Sequence, residues 1–435
     1  MKSKVFLEKV EDGRKFSGYA RVLRKREFGK ISFWKVRFCE NDVQLLIQEG
    51  ITADYCQVKK CPLGSIVFIE GEKTVTKKGE PSIAVGLVRI EKEGCEVLQN
   101  KLGGINHRSR SGNRILDMIA SKPLFDYLLT ISGVTDVLRQ YLRINGFREL
   151  TTGILQEYFE GGQAEPFKTQ CRANGKQLYL SLTSELKLKR LMVAGFEKVY
   201  EISQSFRNEG IDRIHLPEFT LLELYAVNKD YRDMMQLLEQ MTYAVLVETV
   251  GKASLFHGEK EVSFSPPFKR RTFDDACIEF LGVEGRKCTV EWLAGRFPNL
   301  FSAGMDEFTW TMKLVDKIFT PNLIEPTFLT DVPSGISPFA KKHPQNKKLS
   351  ESAFFVSLGV NMATISTDEN DVEKISRLLF EQSSKTGRPI NEDYLSVLEF
   401  GLPQMAGIGF GLNRFYMLFQ ENEKVARETC LLPVF

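Results

Sequence analysis

Across its first 95 residues the chain never sustains a helical period. It reads instead as five short runs of β-branched and aromatic residues, at 16–22, 31–38, 43–47, 65–74 and 82–90. Turn signals such as Asn41-Asp42 and Lys78-Gly79-Glu80 part these runs. Five strands in so short a span predict a small closed barrel. From about Ile115 the pattern switches: Val134, Val137, Leu138, Tyr141 and Leu142 recur at helical spacing, and the helix is expected to stop at Asn145-Gly146. Further helices are expected at 184–193, 231–247 and 371–386, with strand-like runs between them. The reading is an α+β chain: a barrel at 1–95, a linker at 96–115 rich in Gly, Ser and basic residues, and a large mixed domain at 116–435.

A chain of 435 residues is too long for one compact core, which supports that division. No apolar run reaches the roughly 20 residues that span a bilayer, and the start lacks a signal-peptide stretch. The expectation is a cytoplasmic protein with no membrane partner. Eight scattered cysteines, none in a CxxC pair, point to reduced thiols rather than disulfides or zinc. A net charge of +3 excludes nothing by itself; its distribution is informative. The segment 21–30, Arg-Val-Leu-Arg-Lys-Arg-Glu-Phe-Gly-Lys, sets cations beside Phe33 and Trp34. Arg24, Arg26 and Phe33 are therefore candidate nucleic-acid contacts: cations for phosphate, a ring face for a splayed base. Among nucleic-acid-binding barrels of this size the OB-fold is the common case. The alternative is a solvated hairpin beside two core aromatics.

The chemistry concentrates in two segments. In 200–225 a strand, a polar loop and a returning strand follow one another, and Phe219, Leu221, Glu223, Tyr225 and Val227 alternate onto one face. A carboxylate on an apolar face must meet a cation or a donor, so Glu223 with Tyr225 would form a receptor for an ammonium group. Arg207, with Glu209 and His215 in the loop, suits phosphate oxygens. The alternative is a structural ion pair from Arg207 to Glu223 or Glu218. In 406–415, Ala-Gly-Ile-Gly-Phe-Gly-Leu-Asn-Arg-Phe, alternate glycines Gly407, Gly409 and Gly411 let a ligand approach the backbone, and Arg414 reaches over it. The lysine of a Walker loop is absent.

Taken in order, these segments resemble the class II aminoacyl-tRNA synthetases. Phe206-Arg-Asn-Glu209, Pro217-Glu-Phe-Thr220 and Glu223-Leu-Tyr225 are similar to their motif 2. The 407–414 segment is similar to motif 3, and Gly146-Phe-Arg-Glu-Leu-Thr151 to motif 1. Arg114-Ile-Leu-Asp117, Gly161-Gly162, Ser184-Glu185 and Leu398-Glu-Phe-Gly-Leu-Pro403 resemble the lysyl-tRNA synthetases of subgroup IIb.

The resemblance implies an OB-fold that grips an anticodon, then a catalytic domain with an antiparallel sheet flanked by helices. It implies ATP and Mg²⁺ as cofactors, an amino acid and tRNA as partners, and a homodimer. Arg207 and Arg414 would be catalytic. Arg207, Glu209, His215, Phe219, Gly409, Gly411 and Arg414 would bind ATP, with Phe219 and Arg414 on opposite faces of adenine. Gly162 and Glu185 would meet the substrate α-amino group, Glu223 and Tyr225 its side-chain ammonium, and Asn361 would stand for a substrate-binding asparagine.

The chain departs from the family pattern at several points. The two glutamates that hold Mg²⁺ in the family fall near Ala353 and Leu358, so the metal ligands are unassigned. A pocket glutamate falls near Ile365, which makes Ile365 a specificity candidate. Thr151-Thr152-Gly153 replaces the usual Thr-Pro of motif 1, and Gly335 replaces an acidic residue. Two alternatives follow: a ligase with a non-tRNA acceptor, and an RNA-binding or regulatory protein without catalysis.

Overall fold

The computed structural model describes residues 7–8, 10–103, 113–158, 164–337, 339–386, 390–420 and 424–434. The chain divides into two compact units, Met1–Asp126 and Tyr127–Phe435.

The first unit is a closed barrel in the order β1-β2-β3-β5-β4. The strands are β1 (Lys15–Phe28), β2 (Ile31–Phe38), β3 (Asn41–Gln48), β4 (Ile66–Val75) and β5 (Pro81–Lys92). Closure depends on the length of β1. Its N-terminal half pairs with β4 (Phe16 with Gly71), its C-terminal half with β2 (Phe28 with Ile31), and a register shift between Val22 and Arg24 bends it. Alternation sends Val22, Trp34, Val36, Leu45, Ile47, Val67, Ile69, Ile83 and Val85 into a common core. The linker contains more order than its composition predicts: helix Glu96–Leu102 forms, and Lys101 pairs with Asp117 of helix Arg114–Ala120 at 3.2 Å.

The second unit is built on an eight-stranded sheet. In spatial order it comprises β14 (Lys269–Thr272), β15 (Thr327–Thr330), β16 (Ser352–Ser357), β17 (Val360–Thr367), β18 (Met405–Gly411), β11 (Glu218–Val227), β10 (Lys198–Phe206) and β6 (Arg148–Glu149). Every pairing is antiparallel except the two outermost, β14 with β15 and β10 with β6. Two small sheets, β7 (Leu155–Gln156) to β9 (Gln177–Leu180) and β12 (Ser254–His257) with β13 (Lys260–Ser263), complete the strands. The α+β reading with an antiparallel sheet flanked by helices therefore holds.

Helix Tyr231–Val250 starts with a capping box, Asp230 with Asp233, and ends at Gly251 in the left-handed conformation. It meets the sheet on the face of Thr367, whose hydroxyl accepts from Tyr231 N at 3.0 Å. Helix Glu185–Val193 packs on the opposite face, where Leu186, Leu188 and Met192 join Val199 and Tyr225. A helical layer from Phe273 to Leu323 has its own core, including Cys277, Cys288, Leu314 and Phe319. All eight cysteines are free.

Candidate active site and candidate nucleic-acid interface

Register places the functional side chains. Glu223 of β11 lies opposite Gly409 of β18, and Gly409 lies opposite Thr364 of β17. Directly opposed residues share a face, so these three point the same way. Tyr225, Gly407 and Ser366 form the next rung on that face.

The alternating glycines now have a physical cause. A Cβ on Gly407 would stand 2.3 Å from the Tyr225 ring, and one on Gly409 would stand 3.3 Å from a Glu223 carboxylate oxygen. The glycines therefore make room for the two side chains the sequence paired as an ammonium receptor, as well as for any ligand above them.

Glu223 is buried, accepting from Thr183 Oγ1 at 2.6 Å and from Tyr225 OH at 3.2 Å. Burial pushes its carboxyl up to about 8, the Glu185 carboxylate adds to this, and the two hydrogen bonds and Lys189 oppose it. Burial also raises the Tyr225 hydroxyl, so that it stays a donor.

Beside this pair is an ionic group that the sequence reading did not contain. Lys189 Nζ bonds Glu185 Oε1 at 2.7 Å and Asp368 Oδ1 at 2.9 Å, with Tyr225 and Phe339 rings 5.5 and 5.6 Å away. Burial works against the Lys189 charge, but the two carboxylates outweigh it and raise its affinity for a proton. Burial raises the Asp368 carboxyl to about 6, and Lys189 limits the shift. Asp368 Oδ2 is buried with no hydrogen-bond partner. Helical spacing sets Glu185 and Lys189 on one face, but only the sheet end at Thr367-Asp368 brings in the third member.

The phosphate-type residues gather in one cavity of about 260 Å³. Arg207, Glu209, His215, Phe219, Gly409, Gly411, Asn361 and Arg414 all line it. Arg207 Nε is buried and unpartnered, and its guanidinium lies 5.0 Å from the Phe219 ring centre. Among the described residues it forms no ion pair with Glu223 or Glu218. Burial and the neighbouring Arg414 both lower its affinity for a proton, while burial lowers that of Arg414 against the attraction of Asp316 and Asp212. Two guanidinium groups on the wall of one cavity call for an anion. His215 Nδ1 is tied to Asp212 Oδ2 at 2.8 Å, and Arg414 Nη1 donates to the Asn361 carbonyl at 2.9 Å. Gly162 lies outside the described residues.

The register corrects one placement. Ile365 pairs with Ile408, one residue out of step with Thr364, so it faces away from Glu223 towards the helix Tyr231–Val250 side. It is fully buried there and cannot line the pocket. Ala353 pairs with Ile365 and shares that far face, whereas Phe354, opposite Thr364, occupies the near one. Neither Ala353 nor Leu358, both buried, offers a metal ligand, and among the described residues no group of three or more His, Cys, Asp or Glu stands together to hold an ion. The missing motif 1 proline also has a counterpart. Thr152 donates to the Glu201 carboxylate through its N–H at 2.9 Å and its hydroxyl at 2.7 Å, and proline has neither donor.

On the barrel, Arg24, Arg26 and Phe33 come together on a cavity of about 370 Å³, with Lys35, Asp42, Gln44 and Glu80. Arg26 lies opposite Phe33 and Arg24 opposite Lys35. Trp34 is instead a core residue, its Nε1 donating to Ser32 Oγ at 2.9 Å. Lys25 turns inward to the carbonyls of Lys59 and Cys61. Of the basic-aromatic segment, then, Arg24, Arg26 and Phe33 line the cavity, while Lys25 and Trp34 are structural.

The fold and its site define a class II aminoacyl-tRNA synthetase. Residues 106–434 match the family of class II tRNA synthetases for D, K and N, and the chain belongs to that family. It is 33% identical over 432 residues to a lysine–tRNA ligase of Dehalococcoides mccartyi, covering 95% of this chain and 86% of that one. It is 31% identical to a lysine–tRNA ligase of Pectobacterium atrosepticum, over 95% of this chain and 85% of that one. A lysine–tRNA ligase of Staphylococcus epidermidis is 30% identical, over 99% and 90% respectively.

Proposed function

We propose that the chain uses ATP to activate lysine or a lysine-like amino acid as an aminoacyl adenylate and transfers the aminoacyl group to tRNA. The observation that carries this reading is the buried Glu223, hydrogen-bonded by Thr183 and Tyr225, beside a cavity lined by Arg207 and Arg414. A carboxylate so enclosed gains most from a compact cation, which is what a lysine side chain brings. The similarity to lysine–tRNA ligases supports the same substrate.

In the first step an amino-acid carboxylate oxygen attacks the α-phosphorus of ATP. A new P–O bond forms as the bond to the β-phosphate oxygen breaks, and pyrophosphate leaves. The protein's part is to place the two anions together and neutralise their charge. Arg207, with its free buried Nε, is suited to hold both anions. Arg414 and Phe219 would flank the adenine, and Glu209 and His215 would serve the adenine side and the triphosphate. Gly162 and Glu185 would hold the α-amino group, and Asn361 would face the substrates from the cavity wall. Mg²⁺ would screen the phosphates and stabilise the leaving pyrophosphate. In the barrel, Arg24, Arg26 and Phe33 would take an anticodon base and its phosphates.

The chain would work in the cytoplasm as a homodimer.

One observation favours a second reading, a tRNA- or RNA-binding protein without ligase activity: the β16–β17 hairpin carries no carboxylate before Asp368. Amino-acid-dependent ATP–pyrophosphate exchange separates the two. Exchange with lysine or a lysine analogue, followed by charging of tRNA, establishes the first reading. No exchange with any amino acid, alongside retained RNA binding, establishes the second.

A further inference from the structure

The nucleotide cavity has a carboxylate that does not come from the sheet. Helix Glu307–Leu314 runs into a π-helical turn, Val315–Phe319, and that turn brings Asp316 onto the cavity wall. Such turns aim side chains that a regular helix would direct elsewhere. Asn361, at the start of β17, is buried, and its Nδ2 faces Asp316 Oδ1 at 3.5 Å. The Asn361 carbonyl in turn accepts from Arg414 Nη1 at 2.9 Å. Asp316, Asn361 and Arg414 are thus contiguous along the wall.

We infer that Asp316, with the side-chain amide oxygen of Asn361, holds the divalent cation that accompanies the nucleotide triphosphate. The inference rests on the ATP reading above. Three features converge on it. The β16 residue on the pocket face is Phe354, in register with Thr364, so that strand offers no carboxylate there. Apart from Asp316, the carboxylates on the cavity wall reduce to Glu209, which accepts from Glu165 N at 3.4 Å in the loop. Finally, a cation that takes most of its oxygens from water and phosphate needs only one or two from protein. A carboxylate and an amide meet that need, and a flip of the Asn361 amide exchanges Nδ2 for Oδ1. The same helical segment supplies Glu307, whose carboxylate fills the space a Cβ on Gly335 would take. Glu307 lies outside the cavity and gives a matched control on one element.

The test is calorimetric binding of ATP to the full chain, in EDTA and with Mn²⁺, for wild type, Asp316→Asn, Asn361→Asp and Glu307→Gln. Wild type should bind ATP more tightly with Mn²⁺. Asp316→Asn should lose at least about tenfold of that gain while its affinity in EDTA does not fall. Asn361→Asp, with a second carboxylate, should enlarge the gain, a readout that no folding defect imitates. Glu307→Gln should match wild type. An equal Mn²⁺ gain in wild type and Asp316→Asn overturns the inference and leaves the ATP site standing. ATP binding by wild type with no Mn²⁺ gain does the same. No ATP binding under either condition overturns the inference and the ATP reading together.

Discussion

Glu223 and Gly409 face each other across two antiparallel strands, so closely that a Cβ at 409 would lie 3.3 Å from the Glu223 carboxylate. A motif glycine on one strand and a buried acid on the next are therefore one feature: the acid keeps its place because the glycine has no side chain.

The Glu223 carboxyl, pushed up to about 8, makes recognition pH-dependent. Below that value the empty pocket holds a proton, which an incoming ammonium group must displace. Affinity for a cationic amino acid should rise by up to about tenfold per pH unit between about pH 6 and 8, then level off. Glu223→Gln should flatten the profile and weaken binding by about 10- to 100-fold. Stability follows the opposite sign. Because the folded value lies above the ordinary 4.5, the contribution is complete below that pH and lost as pH rises through about 8. Glu223→Gln should lack that loss in urea titrations at several pH values, and an identical pH dependence in the variant would refute the assignment.

Gly407→Ala and Gly409→Ala should differ in kind. The first places a methyl 2.3 Å from the Tyr225 ring and 3.1 Å from the Leu224 carbonyl, and should cost about 1–3 kcal/mol of stability. The second meets first the Glu223 carboxylate, at 3.3 to 3.5 Å, so it should cost less than about 1 kcal/mol while still reducing amino-acid affinity. Thermal unfolding with amino-acid titration checks both, and equal stabilities would contradict the packing.

Replacing Lys189 by Met should be among the most damaging single changes in the second unit. It leaves Glu185 and Asp368 facing each other without their shared cation, at a cost of about 3–5 kcal/mol near neutral pH. Since the Asp368 carboxyl sits at about 6 even with Lys189 present, the penalty should shrink near pH 5, where that group is neutral. Chemical denaturation at the two pH values measures the difference.

In the barrel, Phe33→Ala should cost about 1–3 kcal/mol of single-strand affinity with little change in salt dependence. Arg26→Ala should instead lower the slope of log K against log salt by about one. Filter-binding or anisotropy titrations at several salt concentrations distinguish the two. Unchanged affinity and slope in both variants would remove this cavity from the nucleic-acid interface.

Local sequence determined the elements that follow from short-range periodicity. The strand at 31–38 is legible to the residue because alternation and flanking turns bound it on both sides. The helices at Glu185–Val193 and Tyr231–Val250 are legible because their apolar residues recur at helical spacing. Glu223 and Tyr225 could be paired because i and i+2 share a face in any strand. The short helices of 273–323 left too little period to read, and Glu96–Leu102 was hidden by the glycines and basic residues that follow it.

Strand register and the geometry of helix turns, by contrast, were decided only by the tertiary structure. One residue of register separates Ile365 from the pocket face, and no property of Ile365 itself reveals on which side it falls. Asp368 joins Lys189 across 179 positions of sequence, and Asp316 reaches the cavity of Arg207 and Arg414 through a turn whose spacing departs from the regular helix. Local chemistry fixed which side chains can perform the work, while long-range pairing, set by the packing of the whole sheet, fixed which of them meet.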